Sequence, residues 1–188
     1  MNGPRLVAGW FGLVAGLTGA IFATTDPGEM EFRTTLRVTA LTSAIPFLLA
    51  FTASALQRLS PSLLSRWAVR NRRYLGLSMA GSHLIHLIAI IGLVETAVNG
   101  NPISPLTKIF GGGGFVMLGL MAATSNDFAT QLLGAAWRWL HLLGVWVLWL
   151  DFTFTYAGSA LATPLHFVMT VVFLAAAGVR GWGAWVRR

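Results

Sequence analysis

Long stretches without a charge dominate this chain. Twenty residues separate Arg5 from Asp26, 20 separate Arg37 from Arg58, 21 separate Arg73 from Glu95 and 18 separate Lys108 from Asp127. Between Arg138 and Arg180 only Asp151 carries a formal charge. A helix needs about 20 apolar residues to cross a bilayer core, so each of the first four stretches has the length of one span. The fifth is twice as long and breaks at Ala157-Gly-Ser-Ala-Leu-Ala-Thr-Pro164, a turn-forming run. The expected fold is an all-α integral membrane protein, a bundle of six transmembrane helices over about 6–25, 38–57, 74–94, 109–126, 137–157 and 162–180. One domain is expected over 1–188, with the first stretch a true span and not a cleaved leader, because no A-x-A pattern follows it.

Composition closes the other routes. Hydrophobic residues make up 55% and charged residues 10%, against roughly 25% charged in soluble domains. A transmembrane barrel calls for short alternating segments, not long apolar runs. There is no cysteine, which removes disulfides, thiolate metal sites and iron–sulfur clusters. The net charge of +7 is distributed between apolar runs, so it reads as a topology signal and not as a nucleic-acid footprint. With both termini cytoplasmic, Arg5, Arg58, Arg66, Arg70, Arg72, Arg73, Arg138, Arg180, Arg187 and Arg188 lie inside. Arg33, Arg37 and Lys108 lie outside, and ten against three is a strong positive-inside bias. In the main inside loop, 57–73, Leu63, Leu64 and Trp67 predict an interfacial helix.

Two glycine patterns stand out. Gly9, Gly12, Gly16 and Gly19 share one face of the first helix and predict close packing of another helix. The run Gly111 to Gly114 weakens the fourth helix by about 1 kcal/mol per residue relative to alanine. Either tight packing or a planar ligand lying on the bare backbone offsets that, and Gly112 and Gly113 are candidate contacts for such a ligand.

The four histidines, His83, His86, His141 and His166, all lie in or at the edge of apolar spans. Ionisable groups at such depth are functional candidates by default. Proton transport would recruit carboxylates, and only Asp151 lies within a span. Zinc or copper would want a tight cluster with a carboxylate or thiolate. Histidines spread over different helices suit axial imidazole ligation of haem. No C-x-x-C-H motif is present, so such a haem is non-covalent, of b type. His83 and His86 share a helix face, and only one of them is needed as a ligand.

The run Arg72-Arg73-Tyr74-Leu75-Gly76-Leu77, followed by His86, resembles the R-R-x-L-G-L-x8-H signature of the third helix in the ferric-reductase-like transmembrane family. Within that family it is most similar to the haem-binding membrane subunit of the periplasmic methionine sulfoxide reductase system, the MsrQ or YedZ branch. Ala123-Thr124-Ser125 is similar to the end of its fourth helix and Trp137-Arg138-Trp139-Leu140-His141 to the W-x-x-L-H start of its fifth, and the resemblance covers residues 66 to 150. It implies that His86 and His141 are haem ligand positions. The family usually carries a second histidine 13 residues after the first on the fifth helix, where this chain has Phe154.

Depth separates the two implied ligands. At 1.5 Å per residue, His86 lies about 18 Å from the inner start of its span and His141 about 5 Å. His86 with His166, and His141 with His83, are the alternative pairings, and one haem or two fit equally. Arg72 and Arg73 are candidate partners for haem carboxylates. Asp151 is a candidate proton relay for quinol oxidation or a group at the outer aqueous rim.

No G-x-G-x-x-G following a strand is present, so no nucleotide-binding domain is expected within these spans. The resemblance therefore implies a bacterial inner-membrane electron carrier embedded in lipid. Its donor is quinol or a cytoplasmic flavin reductase, with quinone or FMN as associated cofactors. Its acceptor is a periplasmic redox partner such as the methionine sulfoxide reductase catalytic subunit. A cofactor-free small-solute or proton-coupled transporter is the alternative.

Overall fold

The structure is a computed structural model that describes residues 1–23, 27–98, 100 and 103–186. Eight helices follow in order: α1 (Pro4–Phe22), α2 (Glu29–Leu59), α3 (Leu63–Arg70), α4 (Arg72–Thr96), α5 (Pro105–Ala123), α6 (Asp127–Leu133), α7 (Ala135–Ala157) and α8 (Pro164–Trp185). Six of them, all but α3 and α6, are long and apolar enough to cross a membrane. No strand occurs among the described residues.

Local chemistry sets the helix starts. Pro4, Pro105 and Pro164 stand in first turns, where the missing N–H costs nothing. Ser62, Ser104, Asn126 and Thr163 accept N-capping bonds from Ser65, Thr107, Ala129 and His166. The expected interfacial helix is α3, with Leu63 and Leu64 exposed. Two helices differ from the expected spans. Helix α2 begins nine residues earlier than its apolar stretch, at Glu29, because charged residues also form good helix and the Arg33–Glu29 ion pair at 2.7 Å bridges its first turns. Helix α8 continues past Arg180 to Trp185.

Helix α2 is the hub, packing on α1, α3, α4 and α8, while α5 pairs with α7. An aromatic core of Phe47, Phe51, Phe152 and Phe173 sits where α2, α7 and α8 meet, with ring centroids 5.1–5.9 Å apart. Small polar residues let α2 and α4 approach closely: Thr35, Thr39 and Ser43 face Ser78 and Ser82, all 2% exposed or less. The hydroxyls of Thr39, Ser43 and Ser82 return to the carbonyl one turn earlier. At Gly183 an added Cβ would come 2.8 Å from Ala55 Cβ, so glycine is what brings α8 against α2.

The expected glycine face of α1 does not pack. A Cβ at Gly12, Gly16 or Gly19 would meet nothing within 4 Å, and one at Gly9 would meet only the side chain of Met1. Helix α1 buries Leu6, Val14 and Thr18 instead, and its Phe11 lies against Gly81 of α4. The small residue that permits this approach is on the partner helix.

Both chain ends meet at one end of the bundle. Asn71 accepts from Gly3 N–H at 3.0 Å, Trp67 donates to the Met1 carbonyl at 3.2 Å, and Arg58 donates to the Gly183 carbonyl at 3.0 Å. This basic end gathers Arg5, Arg58, Arg66, Arg70, Arg72, Arg73, Arg138 and Arg180. Arg187 and Arg188 lie outside the described residues, as do Thr24, Thr25 and Asp26, where the first span was expected to end.

Candidate functional site

Helix α4 carries His83 and His86 on one face with ring centroids 5.5 Å apart. Phe115 of α5 covers both, at 5.5 and 6.2 Å, and Phe152 of α7 stands edge-on to His83 at 5.6 Å. His86 is about 21 Å along the helix from Arg72, so this pair is deep in the bundle. His141 and His166 stand elsewhere. His141 stacks on Trp137 with centroids 4.1 Å apart near the basic end. His166 is in the first turn of α8, at the opposite end, with its ring 5.6 Å from Tyr156 and its Nδ1 against Thr163. Among the described residues the imidazoles in ring contact with each other are His83 and His86.

Thr39 Oγ1 is 2.7 Å from His86 Nδ1. The same hydroxyl is 2.7 Å from the carbonyl of Thr35 and 3.2 Å from that of Leu36. When the threonine donates to Thr35 it accepts from His86 Nδ1–H, and in that tautomer Nε2 keeps its lone pair. His141 turns its other nitrogen to a threonine: Thr124 Oγ1 is 3.2 Å from His141 Nε2 and 2.7 Å from Leu120 O. Trp137 fixes this corner by donating from Nε1 to Thr124 O at 2.9 Å. His83 Nδ1 is buried without a partner.

A cavity of about 500 Å³ opens at the basic end, within the range of small-molecule and cofactor sites. His141 and Trp137 line it from α7, Gly76 and Met79 from α4, and Arg72 and Arg180 from α4 and α8. His83, His86 and His166 are not in its lining. Arg180 donates from Nη1 to the Phe51 carbonyl at 2.8 Å, and its guanidinium lies over the rings of Phe51 at 4.7 Å and Trp146 at 5.5 Å. Arg72 is hydrogen-bonded to Ser54. Arg73 is committed to Asp127 by an ion pair at 2.8 Å.

The remaining candidates are on α5 and α7. Gly112 and Gly113 are exposed, and a Cβ on either would meet nothing within 4 Å. Gly114 is buried, and a Cβ there would come 2.8 Å from Asp151 Oδ2, so the bare backbone makes room for that carboxylate. Phe154 is turned outward, 54% exposed, and stacks on Phe110 at 5.4 Å.

Residues 37–151 match the family model of the ferric reductase like transmembrane component. The chain belongs to the ferric-reductase-like transmembrane family. No curated protein and no solved structure matches it. The matched region of this ferric-reductase-like protein takes in His83, His86 and His141, while His166 and Arg180 lie beyond it.

Sequence reasoning did not single out Thr39, Thr124 or Thr163 as imidazole partners, and it counted Arg180 only as a topology charge. For Thr39 a signal was present: Thr35, Thr39 and Ser43 recur every fourth residue, a polar stripe on an otherwise apolar span.

Proposed function

We propose that this protein is a haem b-binding electron-transfer protein of the bacterial inner membrane. In this reading it takes electrons from quinol or a cytoplasmic flavin reductase and passes them to a periplasmic acceptor. The observation that carries it is His86, an imidazole deep in the bundle, inside the region matched to the family, with Nδ1 2.7 Å from Thr39 Oγ1, so that the Nδ1–H tautomer turns the lone pair of Nε2 to a metal. A ligating histidine is usually held in this way, the second nitrogen donating to a fixed acceptor.

The donor types suit haem: His83 has an unpartnered buried nitrogen beside His86, and the cavity of about 500 Å³ lined by His141 has the volume of a cofactor site, although His83 and His86 do not line it. His86 is the first ligand, with His141, His166 and His83 as candidates for the second position. For His141 to present Nε2, its bond to Thr124 has to be exchanged. Arg72 is placed to hold a carboxylate; Arg73 would have to leave Asp127 first. Gly112 and Gly113 contribute only through open space on the outer face of α5. When bound, haem supplies a one-electron carrier. The chain orients the imidazole, excludes water with Phe115 and Phe152, and surrounds the ring with a low-dielectric shell.

Direction follows from charge. The basic end faces the cytoplasm by the positive-inside rule, which puts the cavity on the donor side and His166 near the acceptor side. Quinol or an FMN-bearing reductase fits as donor. The resemblance of the third-helix motif supports a methionine sulfoxide reductase catalytic subunit as acceptor. The visible spectrum of the purified protein, oxidised and reduced, tests this. A b-type low-spin spectrum supports the reading; a haem-free protein from haem-replete cells favours the transporter alternative.

A further inference from the structure

We propose that Arg72 and Arg180 form an oxyanion-binding site at the cavity, taking the carboxylate or phosphate of an amphipathic ligand whose apolar body lies in the cavity. The walls beyond the arginines are apolar and include Phe47, Met79, Leu118 and Leu148. The charge balance at this end is one-sided. Among the described residues the carboxylate there is Asp127, and Arg73 holds it at 2.8 Å. Arg72 and Arg180 have neutral oxygen partners, Ser54 and the Phe51 carbonyl. Each guanidinium has five N–H donors, so both keep donors for an incoming anion.

Position rules out a plain snorkelling role for Arg180. A snorkelling arginine turns its head out to the interface. Arg180 instead reaches 129 residues back in sequence, into the bundle, to the carbonyl of Phe51, whose side chain is 1% exposed. It stacks there on two rings within electrostatic reach of Arg72. Exposed Arg72 and half-buried Arg180 thus line one cavity as like charges, an arrangement that an anion bound between them would stabilise. Bidentate oxyanion recognition is what guanidinium geometry favours.

Two sources carry this chemistry: the carboxylate arms of the cofactor proposed above, and the phosphate of an inner-leaflet anionic lipid. Only the first rests on the haem reading. The test titrates the full chain in neutral detergent with haem and with haem dimethyl ester, read by tryptophan quenching and the Soret band. In parallel it titrates dioleoyl phosphatidylglycerol and dioleoyl phosphatidylcholine, read by native mass spectrometry. R72Q, R180Q and R180K are compared with wild type, and R5Q on α1, outside the cavity lining, is the control. In wild type the acidic member of at least one pair binds on the order of tenfold tighter than its neutral counterpart. The preference disappears in R72Q and R180Q, persists in part in R180K and is unchanged in R5Q.

A preference confined to the haem pair assigns the carboxylate source; one confined to the lipid pair assigns lipid phosphate. If wild type binds neither haem nor its ester, the haem reading fails while the lipid arm still decides the site. Should R180Q not yield folded protein, R72Q and R180K carry the comparison. Equal binding of acidic and neutral members in wild type overturns the proposal, as does a preference that survives R72Q.

Discussion

Thr39 and His86, 47 residues apart, meet on neighbouring helices with Oγ1 and Nδ1 separated by 2.7 Å. This contact engages Nδ1 of His86 and leaves Nε2 as the nitrogen for a metal. It also separates His86 from His141, which turns Nε2 to Thr124. The two histidines that the motif places on equal footing are thus chemically unequal in the folded chain.

Thr39→Val keeps the shape of the side chain and removes the acceptor. The group that accepts a ligating histidine's other N–H is typically worth 10–100-fold in affinity, so haem affinity falls about tenfold and the midpoint potential rises, because imidazole loses electron-donating strength. Thr39→Ser restores both. Nitrogen-15 histidine NMR of the haem-free protein reads the tautomer directly. The Nδ1–H form of His86 is expected in wild type and a mixture in Thr39→Val; a pure Nε2–H form in wild type contradicts the assignment.

Packing makes opposite predictions for two glycines. Gly183→Ala forces a Cβ into the backbone and side chain of Ala55. Overpacking of this kind costs about 1–3 kcal/mol, so the thermal midpoint drops despite the better helix propensity of alanine. Gly12→Ala meets open space and leaves the midpoint unchanged or slightly higher. Differential scanning fluorimetry in detergent compares the two; an equal drop for both would mean that α1 packs through its glycine face after all.

Sidedness is checked by fusion. A reporter active only in the cytoplasm, placed after Arg188, should be active, and the same reporter in the Asn99–Pro102 connection should be silent. The reverse pattern would turn the donor and acceptor faces around.

The spans were legible because the cost of a charge in lipid writes their limits into the sequence: Arg5, Arg37, Arg73 and Lys108 each stand within a few residues of an observed helix limit or of the apolar stretch inside it. The early start of α2 was not legible in those terms, since Glu29 to Arg37 is helical but charged, and a hydropathy limit is not a helix limit. Helix α6 was missed because seven residues between two spans carry no periodic signal of their own. His83 and His86 were visible as one face, since a spacing of three fixes it. Which helix lies opposite them was not, because inter-helix register depends on contacts such as Thr39 with His86 and Phe115 with both rings. The glycines of α1 misled for a related reason: a small residue permits close approach, but which face is used depends on the partner, here Gly81 receiving Phe11.

The central claim rests on the iron ligand, and the reduced-minus-oxidised visible spectrum of wild type and His86→Ala, purified in parallel from haem-replete cells, tests it most directly. Wild type should show a Soret band and a sharp low-spin b-type α-band, and His86→Ala should lose most of both while keeping its helical circular dichroism. A wild type without haem, or a His86→Ala protein with the full low-spin spectrum, would contradict the account.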